Sequence, residues 1–178
     1  MRRIYDSSAL RRDDDDPFSP TSESKDRPSA MRSMNSLALS QRVVPERLRR
    51  YGVSVSIATP RTEYSPDESV PFLVTMRNTL PFPVALSTTS QVRWTWSIDG
   101  HDEAAQFDLE YAADPGQFEF NRGERKRFPK RWQQVFRVSE TEWERAPPGT
   151  YTIGARINVD GAEAAGLAAE TTIKITEE

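Results

Sequence analysis

The residues best suited to acid–base chemistry are a histidine and its neighbouring carboxylates near position 100. His101 is the only histidine in the chain; it follows the Asp99-Gly100 pair and precedes Asp102 and Glu103. A serine–histidine–aspartate triad built on these residues would have to sit at the tip of a loop. The simpler interpretation of His101 is an exposed turn residue.

The same carboxylates could instead bind a hard cation, because Ca²⁺ prefers oxygen ligands. Asp99, Asp102, Glu103 and Asp108 crowd this stretch, but their spacing does not match an EF-hand loop. A solvated acidic loop is the alternative. The sequence therefore predicts no catalytic, cofactor-binding or metal-ligating residue.

A dense basic cluster lies further along the chain. Its five members fall within seven positions: Arg125, Lys126, Arg127, Lys130 and Arg131. Alternation along a strand would place part of the cluster on one exposed face. Two interpretations stay open: charges that protect an edge strand from aggregation, and a patch for an acidic partner.

The tryptophans divide into two groups. Trp94, Trp96 and Trp132 fall on the inward faces of predicted strands, so we expect them to pack in the core. Trp143 lies between Glu142 and Glu144 and is the expected exposed aromatic. It joins the five basic residues as a candidate partner-binding residue.

Charge separates the two parts of the chain. Residues 1–50 hold 11 Lys and Arg against 8 Asp and Glu, whereas residues 51–178 hold 13 against 19. The acidic second part argues against nucleic-acid binding there, because neutralising phosphates requires clustered cations. We therefore expect a protein partner and no nucleic acid.

Cysteine usage and hydropathy bear on the compartment. The chain has no cysteine, so disulfides, thiolate zinc sites and cysteine nucleophiles are excluded and a reducing compartment is permitted. No apolar run approaches the length of a membrane span, and Met1 to Asp6 lacks the apolar core of a secretory signal. The sequence predicts a cytoplasmic protein without a membrane span.

The first 44 residues are rich in Ser, Arg, Asp and Pro and poor in aromatics. Such a segment buries too little surface to offset its ordering entropy, so we expect a disordered polar tail over 1–44. Pro45 suits a first helical turn and Gly52 a helix stop, which predicts a short helix over 45–51.

From Gly52 onward apolar residues recur at every second position. This period is typical of half-buried strands, and it predicts strands at about 53–58, 70–77, 84–86, 92–98, 128–138, 151–159 and 173–175. Turn residues such as Asp99-Gly100 and Pro147-Pro148-Gly149 separate them. Within residues 101–122, Phe107 and Leu109 could begin a strand, whereas residues 112–116 are predicted to be loop. The predicted fold is an all-β, immunoglobulin-like antiparallel sandwich of seven to nine strands over 52–178.

Several motifs carry a family resemblance. In order they are the run from Val70 to Leu86, with a strand that ends at Asn78; the stretch Val92 to Gly100; Arg122-Gly123-Glu124 before Trp132; and Pro148-Gly149-Thr150-Tyr151. This order resembles the bacterial intracellular proteinase inhibitor family (BsuPI-type) over about residues 52–175. The resemblance implies an immunoglobulin-like domain and inhibition of an intracellular protease.

The sequence thus favours a non-catalytic protein-binding module that uses loops at one end of the sandwich or a sheet edge. Inhibition of an intracellular protease is the alternative within the binding class. A small metal-dependent or carboxylate-based enzyme is the alternative from another class, since only carboxylates and one histidine would serve it.

Overall fold

The computed structural model describes residues 51–177. The expected tail over 1–44 and nearly all of the expected helix over 45–51 lie outside this range. Tyr51, the last residue of that helix, is in a turn that leads into the first strand.

Twelve strands lie in the described range, and no helix does. Eight of them have five residues or more, which agrees with the seven to nine strands expected, and the other four have two or three. In chain order they are β1 (Val53–Ala58), β2 (Glu63–Tyr64), β3 (Val70–Asn78), β4 (Val84–Thr88), β5 (Trp94–Ile98), β6 (His101–Asp102), β7 (Gly116–Phe120), β8 (Arg125–Trp132), β9 (Val135–Arg137), β10 (Trp143–Arg145), β11 (Gly149–Ile157) and β12 (Ala168–Ile175).

The strands form two main sheets and two small ones. The three-stranded sheet has the order β1-β3-β8, and the five-stranded sheet has the order β2-β12-β11-β5-β6. β4 pairs with β7, and β9 pairs with β10. Every pairing is antiparallel except that of β2 with β12.

The two main sheets pack face to face through their apolar sides. Phe72 of β3 meets Trp96 of β5 with ring centroids 5.4 Å apart, and Trp94 meets Phe128 of β8 at 4.7 Å. Buried residues at alternate positions of β3 and β11 fill the space between the sheets. Residues 51–177 therefore form an all-β sandwich of the immunoglobulin-like type, as the sequence predicts.

Two strand predictions need correction. Within residues 101–122 a strand was considered at Phe107 and Leu109, but these residues lie outside the strands. The longest strand of this stretch is β7, where Phe118 and Phe120 are buried and face away from exposed Gln117 and Glu119. The strand expected over 128–138 is broken into β8 and β9 at Gln134, whose φ of 56° is left-handed. Its side chain is buried and donates to the Ser65 carbonyl at 2.9 Å.

The faces of β5 also differ from the expectation. Trp94 and Trp96 pack against the core from half-buried positions. Thr95 and Ser97, on the face opposite the tryptophans, are buried as well. On that face Thr95 is hydrogen-bonded to Asn158, and the Ser97 hydroxyl fills the space beside Gly154 of β11.

The Asp99-Gly100 turn connects β5 and β6 as a tight hairpin, as predicted. Both residues have positive φ, at 48° and 81°, which this turn type requires and which Gly adopts at no steric cost.

No helix among residues 51–177 has the length and apolarity needed to cross a membrane.

Candidate interaction surface

The outer face of the three-stranded sheet carries four arginines. In the register of the sheet, Arg77 of β3 lies opposite Arg125 of β8, and Thr75 lies opposite Arg127. Pro71 lies opposite Arg131. The alternate positions of β3 point into the core, so these residues share the solvent side. We call Arg77, Arg125, Arg127 and Arg131 the arginine face.

The arginine face has no paired countercharge among residues 51–177. All four side chains are exposed, and none forms a salt bridge with any residue between 51 and 177. The neighbouring outward positions of β1 are Ser54, Ser56 and Ala58. Arg77 and Arg125 lie directly opposite each other on neighbouring strands. Like charges in such a pair destabilise a sheet. The face is therefore arranged at a cost to folding.

The two lysines of the predicted cluster point the other way. Lys126 forms a salt bridge with Glu124 at 2.8 Å, and its ammonium lies 5.4 Å from the centre of the Phe120 ring. The Lys130 ammonium lies 5.5 Å from the centre of the Trp94 ring. Such contacts place an ammonium over the face of an aromatic ring that packs in or against the core. The structure thus divides the five basic candidates into three on the arginine face and two on the inner side.

Arg77 was not among the predicted site residues. It lies 48 positions before Arg125 in the chain, and only the pairing of β3 with β8 brings the two together. The period-two pattern of residues 70–77 placed Arg77 on the solvent side of its strand. The sequence pattern did not show which strand pairs with β3.

β8 is an edge strand, in keeping with the protective interpretation of its charges. The Asn78 amide donates to the Glu124 carbonyl at 2.9 Å, so the backbone groups of Lys126, Phe128 and Lys130 face β3 by alternation. Those of Arg125, Arg127, Pro129 and Arg131 face the free edge. Pro129 has no amide hydrogen to offer there, which is where an edge strand tolerates proline.

A tight turn over residues 121–124 sets the start of β8. The Glu124 amide donates to the Asn121 carbonyl at 3.1 Å, while a Glu124 carboxylate oxygen accepts from the Asn121 amide at 2.6 Å. Gly123 has a φ of 65°. The hydrogen bond from Lys126, together with the one from Asn121, lowers the pKa of the Glu124 carboxyl.

This lowered pKa predicts a pH-dependent effect of Glu124→Gln. A carboxyl whose folded-state pKa lies below its unfolded value stabilises the fold above the unfolded value, about 4.3, and that stabilisation is lost as the pH falls through the folded value. We expect the variant to be less stable by about 0.5–1 kcal/mol at neutral pH and to match the native chain in acid. Urea unfolding at a series of pH values measures this. Glu119→Gln, an exposed carboxylate on β7, is the control, and a pH-independent difference for Glu124→Gln would contradict the assignment.

Trp143 is exposed, as predicted, at 61% of its accessible surface. It lies on β10, and the Arg137 guanidinium sits between two rings, 5.9 Å from the centre of Trp143 and 5.1 Å from that of Phe107. The contacts of Trp143 are thus with Arg137 on the β9–β10 pair, a different sheet from the arginine face.

The residues considered for catalysis are placed on β6. The exposed His101 ring lies edge-on to Phe136, with centroids 6.0 Å apart. The Asp102 carboxylate accepts from Arg156 at 2.7 Å. The second Asp102 carboxylate oxygen and the Tyr111 hydroxyl are buried without a hydrogen-bond partner among the described residues, and burial raises the pKa of that hydroxyl.

The acidic residues considered for calcium binding also form hydrogen bonds with different partners. Asp99 accepts from the Thr152 amide at 2.7 Å, and Asp102 pairs with Arg156. Within the part of the chain that the structure describes, no three His, Asp or Glu side chains are grouped closely enough to hold a metal ion.

Comparison with solved structures finds similar chain folds at low sequence identity. The CARDB domain of a Pyrococcus furiosus protein, solved in complex with di-metal ions, is 14% identical with a TM-score of 0.45; the match covers 71% of this chain and 94% of that one. The Pseudomonas fluorescens alkylpurine DNA glycosylase AlkC, bound to DNA containing an abasic site analogue, is 15% identical with a TM-score of 0.39, covering 71% and 31%. A β-glucosidase from Erythrobacter marinus is 13% identical with a TM-score of 0.43, covering 70% and 15%.

Sequence comparison gives one family. None of the curated proteins matches the chain. The model of a family of unknown function, DUF7974, matches residues 41–176, which include all twelve strands. The chain belongs to the family of unknown function DUF7974.

Proposed function

We propose that this chain is a non-catalytic protein-binding module whose arginine face binds an acidic protein. The observation that carries the proposal is the set of four exposed arginines on one sheet face without a salt bridge to any described residue. Unpaired guanidinium groups offer rigid forks of donors that match carboxylates. The rest of the domain carries a net negative charge, so the attraction of the face for acidic groups is local and does not result from the overall charge.

The chemistry of the face favours a protein over a nucleic acid. Binding of single strands combines cations with aromatic platforms on which bases stack. The outward positions of β1, β3 and β8 hold Ser, Ala, Pro, Leu, Thr and Arg, and no aromatic residue. Polar side chains with arginines are instead suited to charged segments of proteins. The cysteine-free sequence is compatible with the reducing cytoplasm, where we place the module.

The test is a comparison of two double variants with equal change in net charge. Arg125→Glu/Arg127→Glu reverses two charges on the arginine face, and Arg93→Glu/Lys174→Glu reverses two exposed charges elsewhere. The probe is a fluorescein-labelled peptide of alternating Glu and Ser, followed by fluorescence anisotropy at low and physiological salt. We expect the first variant to bind at least about tenfold more weakly than the native chain and the second to bind within about threefold of it.

Two outcomes would overturn the proposal. Equal weakening in both variants would mean that the peptide senses net charge only. Tighter binding of a single-stranded DNA oligonucleotide of equal length than of the peptide, lost in the first variant, would assign the face to nucleic acid. Inhibition of a protease, which the BsuPI-type resemblance implies, stays a prediction, and an assay of subtilisin activity with the native chain tests it.

A further inference from the structure

We infer that the acidic partner carries an apolar anchor side chain, which sits in a groove at one end of the arginine face. This inference rests on the proposed function and specifies the partner as an extended acidic segment with an apolar residue in line with its carboxylates. It is drawn from the shape of the groove, its neighbouring charges and the spacing along β8.

The groove crosses the three strands of the sheet on its outer side. Ala58 of β1, Leu73 of β3 and Pro129 of β8 lie side by side in the register. Pro60 and Pro71 complete its apolar lining, and the groove encloses about 730 Å³. That volume falls within the roughly 300–1,000 Å³ range of clefts that bind small ligands, so it can hold one apolar side chain. The small side chain of Ala58 and the compact proline rings leave this space open.

Positively charged side chains lie next to the apolar lining of the groove. Arg131 borders the groove, and Arg127 and Arg125 follow on the same side of β8. Leu73, Pro129 and the arginines all lie on the outward side of the sheet. A partner that fills the groove therefore places its adjoining residues over guanidinium groups.

The spacing along β8 suits an extended segment. Residues two apart on a strand are separated by about 6.6 Å and face the same way. Arg125, Arg127, Pro129 and Arg131 follow this period. A segment in extended conformation has the same period, so an anchor over Pro129 puts alternate carboxylates next to Arg127 and Arg131.

The partner is held by side-chain contacts on the outer face of the sheet, and not by pairing with β8 as an additional strand. Pro129 lies in the middle of the free edge of β8 and lacks an amide hydrogen. A strand pairing with this edge would lose a backbone hydrogen bond at its centre and meet the basic side chains that blunt edge pairing. The outer face offers both the charges and the groove without that loss.

The experiment uses two labelled peptides and two variants of the full chain. Glu and Ser alternate in both peptides, except that one central glutamate is replaced by alanine in the first peptide and by phenylalanine in the second. We expect the native chain to bind the phenylalanine peptide about five- to tenfold more tightly. Leu73→Thr, which replaces an apolar side chain with a polar, β-branched residue suited to a strand, should lose that preference and keep its affinity for the alanine peptide. Arg125→Glu/Arg127→Glu should weaken both complexes.

The outcomes separate the two proposals. Equal affinity of the native chain for both peptides, with both lost in the arginine variant, overturns the groove and leaves the arginine face standing. Absence of binding by either peptide overturns both. A thermal melt of Leu73→Thr shows whether it is folded, and unchanged preference in the folded variant also overturns the groove.

Discussion

Trp132→Ala is expected to cost about 3–5 kcal/mol of unfolding free energy, the largest effect of any single truncation proposed here. The Trp132 side chain is 1% exposed, and its indole nitrogen donates to the Val135 carbonyl at 2.9 Å. Its ring meets Tyr151 of β11 and Phe136 of β9, with centroid distances of 5.1 and 5.6 Å. Truncation leaves a cavity where three sheets meet and a carbonyl without its donor.

Differential scanning fluorimetry and urea unfolding measure this loss. For a domain of this size, such a cost lowers Tm by roughly 10–25 °C. Trp143→Ala is the matched control because it removes the same atoms from an exposed site, and its effect should stay within about 0.5 kcal/mol. Similar losses for the two variants would show that Trp132 is not the centre of the core.

Asn78→Asp is expected to destabilise the fold strongly at neutral pH and much less in acid. The Asn78 side chain is fully buried. Its amide nitrogen donates to the carbonyls of Phe82 and Asn121 at 2.8 and 2.9 Å, and its oxygen accepts from the Leu80 amide at 3.0 Å. Aspartate has the same shape, but it faces both carbonyls with a carboxylate oxygen. We expect a loss of at least about 3 kcal/mol at pH 7.

The sign of the pH dependence follows from burial. A carboxyl without water and opposite two carbonyls is harder to ionise, so its folded-state pKa rises above the unfolded value of about 3.9. The penalty is smallest below the unfolded value and grows to its full size as the pH passes the folded value. Urea unfolding between pH 3 and pH 8 tests this. Gln133→Glu, an exposed amide-to-acid change, is the control, and parallel pH profiles for the two variants would contradict the role of Asn78.

The arrangement of β3 was predictable because one physical signal fixed it. Val70, Phe72, Val74 and Met76 alternate with less apolar residues, and the structure buries all four. A strand that has one face in the core and the other in solvent must show this two-residue period. The same signal was present at Phe118 and Phe120, but it is only two aromatics long and follows a polar stretch, so it did not stand out from a loop.

Other features depend on contacts that no local pattern contains. Gln134 takes a left-handed conformation and ends β8 because its amide group is held by the Ser65 carbonyl, 69 residues away. Thr95 and Ser97 are buried against Asn158 and Gly154, which lie far along the chain and are brought close by strand pairing. Arg77 joins the arginine face through strand order alone. The basic cluster was predictable as a group, whereas its division between two sides of β8 required the register.

The pairing of β2 with β12 bears on how the chain is made. The Tyr64 carbonyl accepts from the amide of Thr176 at 2.9 Å, across 112 residues, and the Tyr64 side chain is 1% exposed. At a synthesis rate of 5–20 residues per second, the ribosome needs on the order of ten seconds between delivering these two residues. During that time Tyr64 has no sheet to join, and a topology rich in such distant pairings also folds slowly once complete. The nascent domain therefore passes through an interval in which its five-stranded sheet is open and exposed to chaperones and proteases.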